Sequence, residues 1–220
     1  MGFESSRPLT PRKSPRQDRS IATVEAIFEA TLQVLLSDGL IRLTTTRVAH
    51  RAGVSVGTLY QYFPNKQALL FAVLERHLSL LWRAIERACE ENPRPTRETL
   101  AETVVKAYLQ AKMAQAEVSP SLYRISMELD ARDLMDSATL RSARAIEAML
   151  SNSDGGFANP GLLAQTLTAA LYGTVPAFCH RVLSAADGRE AEKQLTVMFR
   201  SYLVAQQGGT ERPSVGGRPD

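Results

Sequence analysis

The chain is short of the residues that build several kinds of site. Only two cysteines, Cys89 and Cys179, occur in 220 residues. They form no CxxC pair and stand in no Cys/His cluster, so the sequence offers no zinc site. Both are expected reduced on helices of a cytoplasmic protein, with a disulfide between them as the alternative. No phosphate-binding glycine loop, HExxH or dinucleotide fingerprint is present. No cofactor and no metal are therefore expected. No apolar run of about 20 residues reads as a membrane span. No apolar stretch follows the N-terminal charges either, so neither a signal peptide nor a membrane partner is expected. No segment reads as a strand, and no internal repeat appears.

What the chain has is helical periodicity and an uneven charge. Hydrophobic residues make up 44% and charged residues 22%, which is ordinary for a globular chain of one or two domains. The net charge is +3, but residues 1–70 hold nine Lys/Arg against five Asp/Glu, and residues 71–220 hold seventeen against eighteen. The positive excess sits in the first third, as phosphate binding requires.

The organising stretch is LTTTRVAHRAGVSVGTLYQYFPNK, from Leu43 to Lys66. Thr44 and Thr45 offer hydroxyls at a helix start. Val48, Ala49 and Ala52 recur at helical spacing, and Gly53 supplies the left-handed conformation of a helix stop. Ser55 is an N-cap for a second helix, which Pro64 ends. Asn65 caps a third. On the second helix, Leu59 and Phe63 lie one turn apart and read as buried anchors. Gly57, Thr58 and Gln61 face out, with Tyr60 and Tyr62 on the two edges. Two helices around a glycine turn, the second facing outward, form a helix-turn-helix for the major groove.

These residues resemble the DNA-binding head of the TetR (tetracycline-repressor-like) family of transcriptional regulators. The resemblance rests on Thr44–Thr46, Ala49, Ala52-Gly53-Val54-Ser55, Gly57-Thr58-Leu59-Tyr60, Tyr62-Phe63, Lys66 and Leu69, and covers roughly residues 20 to 80. It implies a homodimer that reads a palindromic operator in double-stranded DNA. By resemblance and geometry, Thr46, Val56, Gly57 and Thr58 lie near bases, while Thr45, Tyr60, Tyr62 and Lys66 hold phosphates. Val56 departs from the polar residue often found there and can offer only a methyl contact. The resemblance also implies a body that binds a small-molecule effector, most simply as a repressor released by that ligand, and the few buried charges suggested by the sequence favour an apolar or aromatic one. Activation of transcription, or a helical sensor acting through a protein partner, stays open.

Gly53-Val54-Ser55-Val56-Gly57 also matches the GxSxG pattern of serine hydrolases. That pattern works only between a strand and a helix. Here RVAHRA, a helical segment, precedes it, so no enzyme is expected.

The remaining chain reads as all-α, about nine helices in total. Residues 1–20 form a basic arm expected to be disordered, with Arg12, Lys13, Arg16 and Arg19 able to follow DNA. The DNA-binding domain is 21–81. Its first helix spans about 18–37, with a stripe of Ile21, Val24, Phe28, Thr31, Leu32 and Leu35, and ends at Gly39. A long helix, 65–90, faces Leu69, Val73, Leu74, His77, Leu81 and Ile85 inward and joins the head to a ligand-binding and dimerisation domain, 82–206. Within it, helices are expected at about 97–116, from Ser119-Pro120, at about 131–151, from Asn159-Pro160 with a kink near Pro176, and after an Asp187/Glu190 capping box to about Gln206. Residues 207–220 read as a disordered tail. Ala169, Ala170, Gly173 and Ala177, with Leu195, Met198, Phe199 and Tyr202, suit either a dimer seam or plain core. Trp82, Met113, Tyr123, Met127, Phe178 and His180 suit either a ligand pocket or plain core.

Overall fold

A seam of apolar residues three and four apart dictates a long amphipathic helix, and the computed structural model contains it. The structure describes residues 18–153, 156–174 and 184–206. Among them are nine helices and no strand. These are α1 (Asp18–Arg42), α2 (Thr45–Arg51), α3 (Val56–Tyr62), α4 (Lys66–Glu91), α5 (Arg97–Met113), α6 (Ser119–Glu128), α7 (Arg132–Ser151), α8 (Pro160–Gly173) and α9 (Ala185–Ala205). The expected arm as far as residue 17, the tail, the Pro176 kink and Ala177 fall outside the described residues, as do Phe178, Cys179 and His180, whereas Asp18 to Ser20, expected in the arm, belong to α1.

The chain divides into two compact units that do not follow chain order. The first contains residues 18–81 and Ala111–Ala138; the second contains Trp82–Gln110, Thr139–Thr174 and residues 185–206. The boundaries therefore fall inside α4, α5 and α7.

In the first unit, α1 packs against α2 and α6, and α2 against α3. The core holds Val24, Ile27, Ala30, Val34 and Leu35 of α1, Val48 and Ala49 of α2, and Leu69, Val73 and Leu74 of α4, all buried. Each buried Val, Leu or Ile side chain among them stabilises the fold by about 1.5–3 kcal/mol before entropy is counted. The stripe of α1 is rotated from the one read in the sequence, since Ile21 is 46% exposed while Ile27 is wholly buried. Thr31 is also fully buried, and its hydroxyl donates to the Ile27 carbonyl at 2.7 Å. Phe28 lies against Phe63, ring centroids 5.7 Å apart, under the Arg76 guanidinium. Gly39 interrupts α1 with φ 76 and ψ 168, a conformation open to glycine alone. The chain then turns Leu40 and Leu43 into the core and leaves Ile41 88% exposed.

By length and composition, Ser20–Arg42 passes for a membrane span, at mean hydropathy 1.3, which the sequence reading did not anticipate. Its buried face is core in the first unit, and Gly39 breaks the helix near its end.

The second unit has its own core, with Leu100, Val104 and Tyr108 of α5, Ile146 and Leu150 of α7, Leu163, Leu167 and Leu171 of α8, and Phe199 and Leu203 of α9. The Tyr172 ring lies tilted against Tyr108, centroids 5.4 Å apart, and its hydroxyl shares a 3.0 Å hydrogen bond with Ser142. Burial raises the Tyr172 pKa. Asn159 caps α8 by accepting from the Leu162 amide at 3.0 Å, with Pro160 in the first turn.

Two expected caps are absent. Ser119 lies inside helical geometry that begins after Val118, and its buried hydroxyl caps nothing. Asp187 stands in the first turn of α9, because that helix already begins at Ala185.

Candidate nucleic-acid interface

The local sequence builds the α2–turn–α3 corner step by step. Thr44 is extended at φ −129, and its hydroxyl accepts from the Arg47 amide at 3.2 Å. That satisfies one of the amides a helix start leaves bare. Gly53, at φ 68, takes the left-handed position after α2. The turn closes with the Val54 amide donating to Ala49 at 3.0 Å. Ser55 caps α3: its Oγ accepts from the Thr58 amide at 2.9 Å and lies 2.8 Å from the Thr58 hydroxyl. Phe63, extended at φ −123 before Pro64, ends the helix. Since α2 precedes Ser55, the strand that a nucleophile elbow needs is not in that place.

The faces of α3 then follow. Leu59 and Phe63 are buried at 0% and 1% exposure. Gly57 and Gln61 are exposed, and a Cβ at Gly57 would meet nothing nearer than Ser55 Oγ at 3.7 Å. Val56 and Thr58 are half-buried, and Thr46 on α2 is exposed. The tip of α3 is therefore small and open enough for base edges to approach.

The flanking residues differ from one another. Tyr60 is 41% exposed, and its hydroxyl lies 3.0 Å from Thr45 Oγ1, which ties α3 to α2. Tyr62, read as an edge residue, is only 8% exposed and packs beside Phe63 at 6.5 Å. It is first a core residue. Lys66 is half-buried in the first turn of α4, with Nζ donating to the Leu40 carbonyl at 3.2 Å. Arg47 pairs with Asp38 of α1. Hydrogen bonds from Ser37 and then Arg47 hold the Asp38 carboxyl below its usual range. The sequence reading missed the Leu40 carbonyl and the Asp38–Arg47 pair as parts of this corner.

The four described ligand candidates are divided between the two units. Trp82 belongs to the second unit, under the guanidinium of Arg141 at 4.5 Å. Met113, Tyr123 and Met127 belong to the first. Met113 lines a cavity there, whereas Met127 is 71% exposed. The second unit has a cavity of about 610 Å³ between Cys89 and Met149. Burial, with Glu90 and Glu86 nearby, pushes the Cys89 thiol up to about 12. Among the described residues, no three His, Cys, Asp or Glu side chains stand together as metal ligands would.

Residues 27–73, which contain the whole α2–turn–α3 corner, match the bacterial regulatory proteins of the tetR family. Residues 27–73 are a tetR-family segment. The chain is 33% identical over 116 residues to the nucleoid occlusion factor SlmA of Actinobacillus pleuropneumoniae serotype 5b (strain L20), covering 52% of each. It is 31% identical over 137 residues to the HTH-type transcriptional regulator HbdR of Aromatoleum sp. (strain CIB), covering 61% of this chain and 59% of HbdR. It thus spans about half the length of the SlmA relatives it matches. Two solved structures share the fold. The fatty acid degradation regulator FadR from Bacillus halodurans has TM-score 0.58 at 17% identity, over 90% of this chain and 100% of FadR. The TetR family repressor AlkX from Dietzia sp. strain DQ12-45-1b has TM-score 0.56 at 20% identity, over 83% and 97%.

Proposed function

We propose that the chain is a transcriptional regulator that binds a palindromic operator as a homodimer and leaves it when a small, apolar or aromatic effector binds. The observation that carries this reading is the exposed, small-residue tip of α3, held outward by the buried Leu59 and Phe63. In this reading, residues 21–81 form the DNA-binding domain and 82–206 the ligand-binding and dimerisation domain of a cytoplasmic protein. One α3 from each protomer enters successive major grooves. Thr46, Val56, Gly57 and Thr58 face bases; Thr45, Tyr60, Lys66 and the Tyr62 hydroxyl face phosphates.

Exposed residues support a dimer through α8 and α9. Leu162, Val197, Met198 and Val204 are 45–58% exposed. Ala169 and Gly173 are also exposed, whereas Leu195 and Phe199 are buried within the protomer's own core. Effector and operator would oppose each other through α4, which belongs to both units, and only to the extent that each favours a different state.

The likeness to SlmA, a nucleoid occlusion factor, favours a second reading in which the DNA-bound chain has a role other than ligand-released repression; action through a protein partner is the alternative of that kind. Activation in place of repression would depend on where the operator lies. A gel shift with the adjacent intergenic DNA tests the shared step. A shift that added low-molecular-weight effector reverses supports the first reading; no shift at low salt overturns both.

A further inference from the structure

Helix α1 carries apolar side chains around more of its girth than its packing covers. Glu29, Leu32, Gln33 and Leu36 recur at i, i+3, i+4 and i+7, so they share one face. Leu32 is half-buried and Leu36 is 49% exposed. That face is one wall of a cavity of about 490 Å³. The other wall is the turn from Met113 to Val118, between α5 and α6. Both walls lie in the unit that holds α2 and α3.

The lining has a definite chemistry. Leu32, Leu36, Met113 and Val118 supply the apolar surface, and the charged groups are two carboxylates, Glu29 and Glu117, with no cation among the lining residues. One Glu29 oxygen accepts from Gln33 Nε2 at 3.0 Å, which leaves the other open. Among the described residues, Glu117 has no ionic partner. The volume falls in the range of small-molecule pockets, roughly 300–1,000 Å³.

We propose that this cavity binds a small amphipathic cation, an alkyl or aryl ammonium. Its apolar body lies on Leu32, Leu36 and Met113, and its charge faces Glu29 and Glu117. An anion of the same size meets two carboxylates and is repelled. The occupant also touches parts that position the DNA-facing corner. Gln115 lines the cavity and holds His77 of α4 at 2.8 Å. Asp38, two residues beyond Leu36, pairs with Arg47 of α2. Modulation of operator binding rests on the proposed regulatory reading; binding of the cation does not.

Calorimetry on the full chain tests the site, with hexyltrimethylammonium as probe and hexanoate and 1-hexanol as matched controls. The ammonium should bind saturably and at least about tenfold more tightly than either control. Glu117→Gln should weaken it about fivefold, the upper end for an exposed ion pair. Leu36→Lys, at an exposed position, should abolish it while leaving the thermal transition in place. Equal binding of hexanoate or hexanol, or ammonium binding unchanged in both variants, would overturn the proposal. A gel shift without ammonium is read separately: its failure sinks the regulatory reading and leaves the calorimetric result standing.

Discussion

Lys66 donates its ammonium to the carbonyl of Leu40, 3.2 Å away, and so joins the first turn of α4 to the segment just past the Gly39 break in α1. Leu40 stands in the last turn of α1, where carbonyls lack i+4 partners, and its carbonyl also accepts from the Leu43 amide at 3.3 Å. A cation in the first turn of a helix faces an unfavourable macrodipole, and a partly buried carbonyl offsets that cost. An ammonium has three hydrogens, so a phosphate contact can coexist with this bond. Lys66→Ala is expected to weaken binding to all DNA sequences alike and to reduce the salt slope by roughly one. It should also lower folding stability by about 1 kcal/mol. Anisotropy titrations across salt, beside urea melts, separate the two roles. A stability loss with an unchanged slope would leave Lys66 serving Leu40 alone.

His77 gives the fold an acid limit. It is 5% exposed, hydrogen-bonded to Gln115 and near Lys112. Burial is the main cause that lowers its pKa to about 4. The unfolded chain takes the proton near pH 6.5 and the folded one only near 4, so stability falls as pH drops through that window. The loss approaches roughly 3 kcal/mol below pH 4. Urea midpoints from pH 7.5 to 4 should show it, and His77→Phe should flatten the curve over that range.

Gly39 and Gly53 should respond differently to substitution. Neither missing Cβ would meet an atom within 4 Å, so any cost is conformational and not steric crowding. Gly53, at φ 68, is in the ordinary left-handed region, and Gly53→Asn should cost under about 1 kcal/mol. Gly39, at φ 76 and ψ 168, lies where only glycine is at ease, and Gly39→Asn should cost about 1–3 kcal/mol. Equal thermal shifts would contradict this ranking.

Tyr62 carries a packing role that can be separated from any contact with DNA. Tyr62→Ala should destabilise the head by about 3 kcal/mol, in the manner of other buried aromatic truncations. Tyr62→Phe should keep the fold and weaken operator binding by about 1 kcal/mol at most. Unchanged operator affinity in Tyr62→Phe would remove the hydroxyl from the phosphate contacts.

Much of this was legible in the sequence where periodicity and end signals agree. Leu69, Val73, Leu74, His77, Leu81 and Ile85 are all buried on α4, as their spacing implies. Ser55, Gly53, Asn65 and Pro64 mark the ends of their helices where the sequence put them. The angular position of a stripe was less legible. On α3, Tyr60 and Tyr62 each stand ~80° from the Leu59/Phe63 seam, one on either side. Helical spacing treats them alike; the packing around them buries one and exposes the other. The same freedom let the α1 stripe rotate from Ile21 to Ile27. Caps at Ser119 and Asp187 failed because α6 begins at Ser119 itself and α9 begins at Ala185, ahead of Asp187. The Leu40 carbonyl carries no side-chain signal at all.

The bond between Thr45 and Tyr60 sets a limit on what α2 and α3 can jointly offer. Two hydroxyls carry two hydrogens, and one lies between the two oxygens, 3.0 Å apart, whichever residue donates it. The pair therefore presents a single O–H outward, and its remaining lone pairs would repel an anion. Removing either hydroxyl frees the hydrogen of the other. The number of outward donors would stay at one after a single deletion, with only its position changed, and would reach zero only when both are gone.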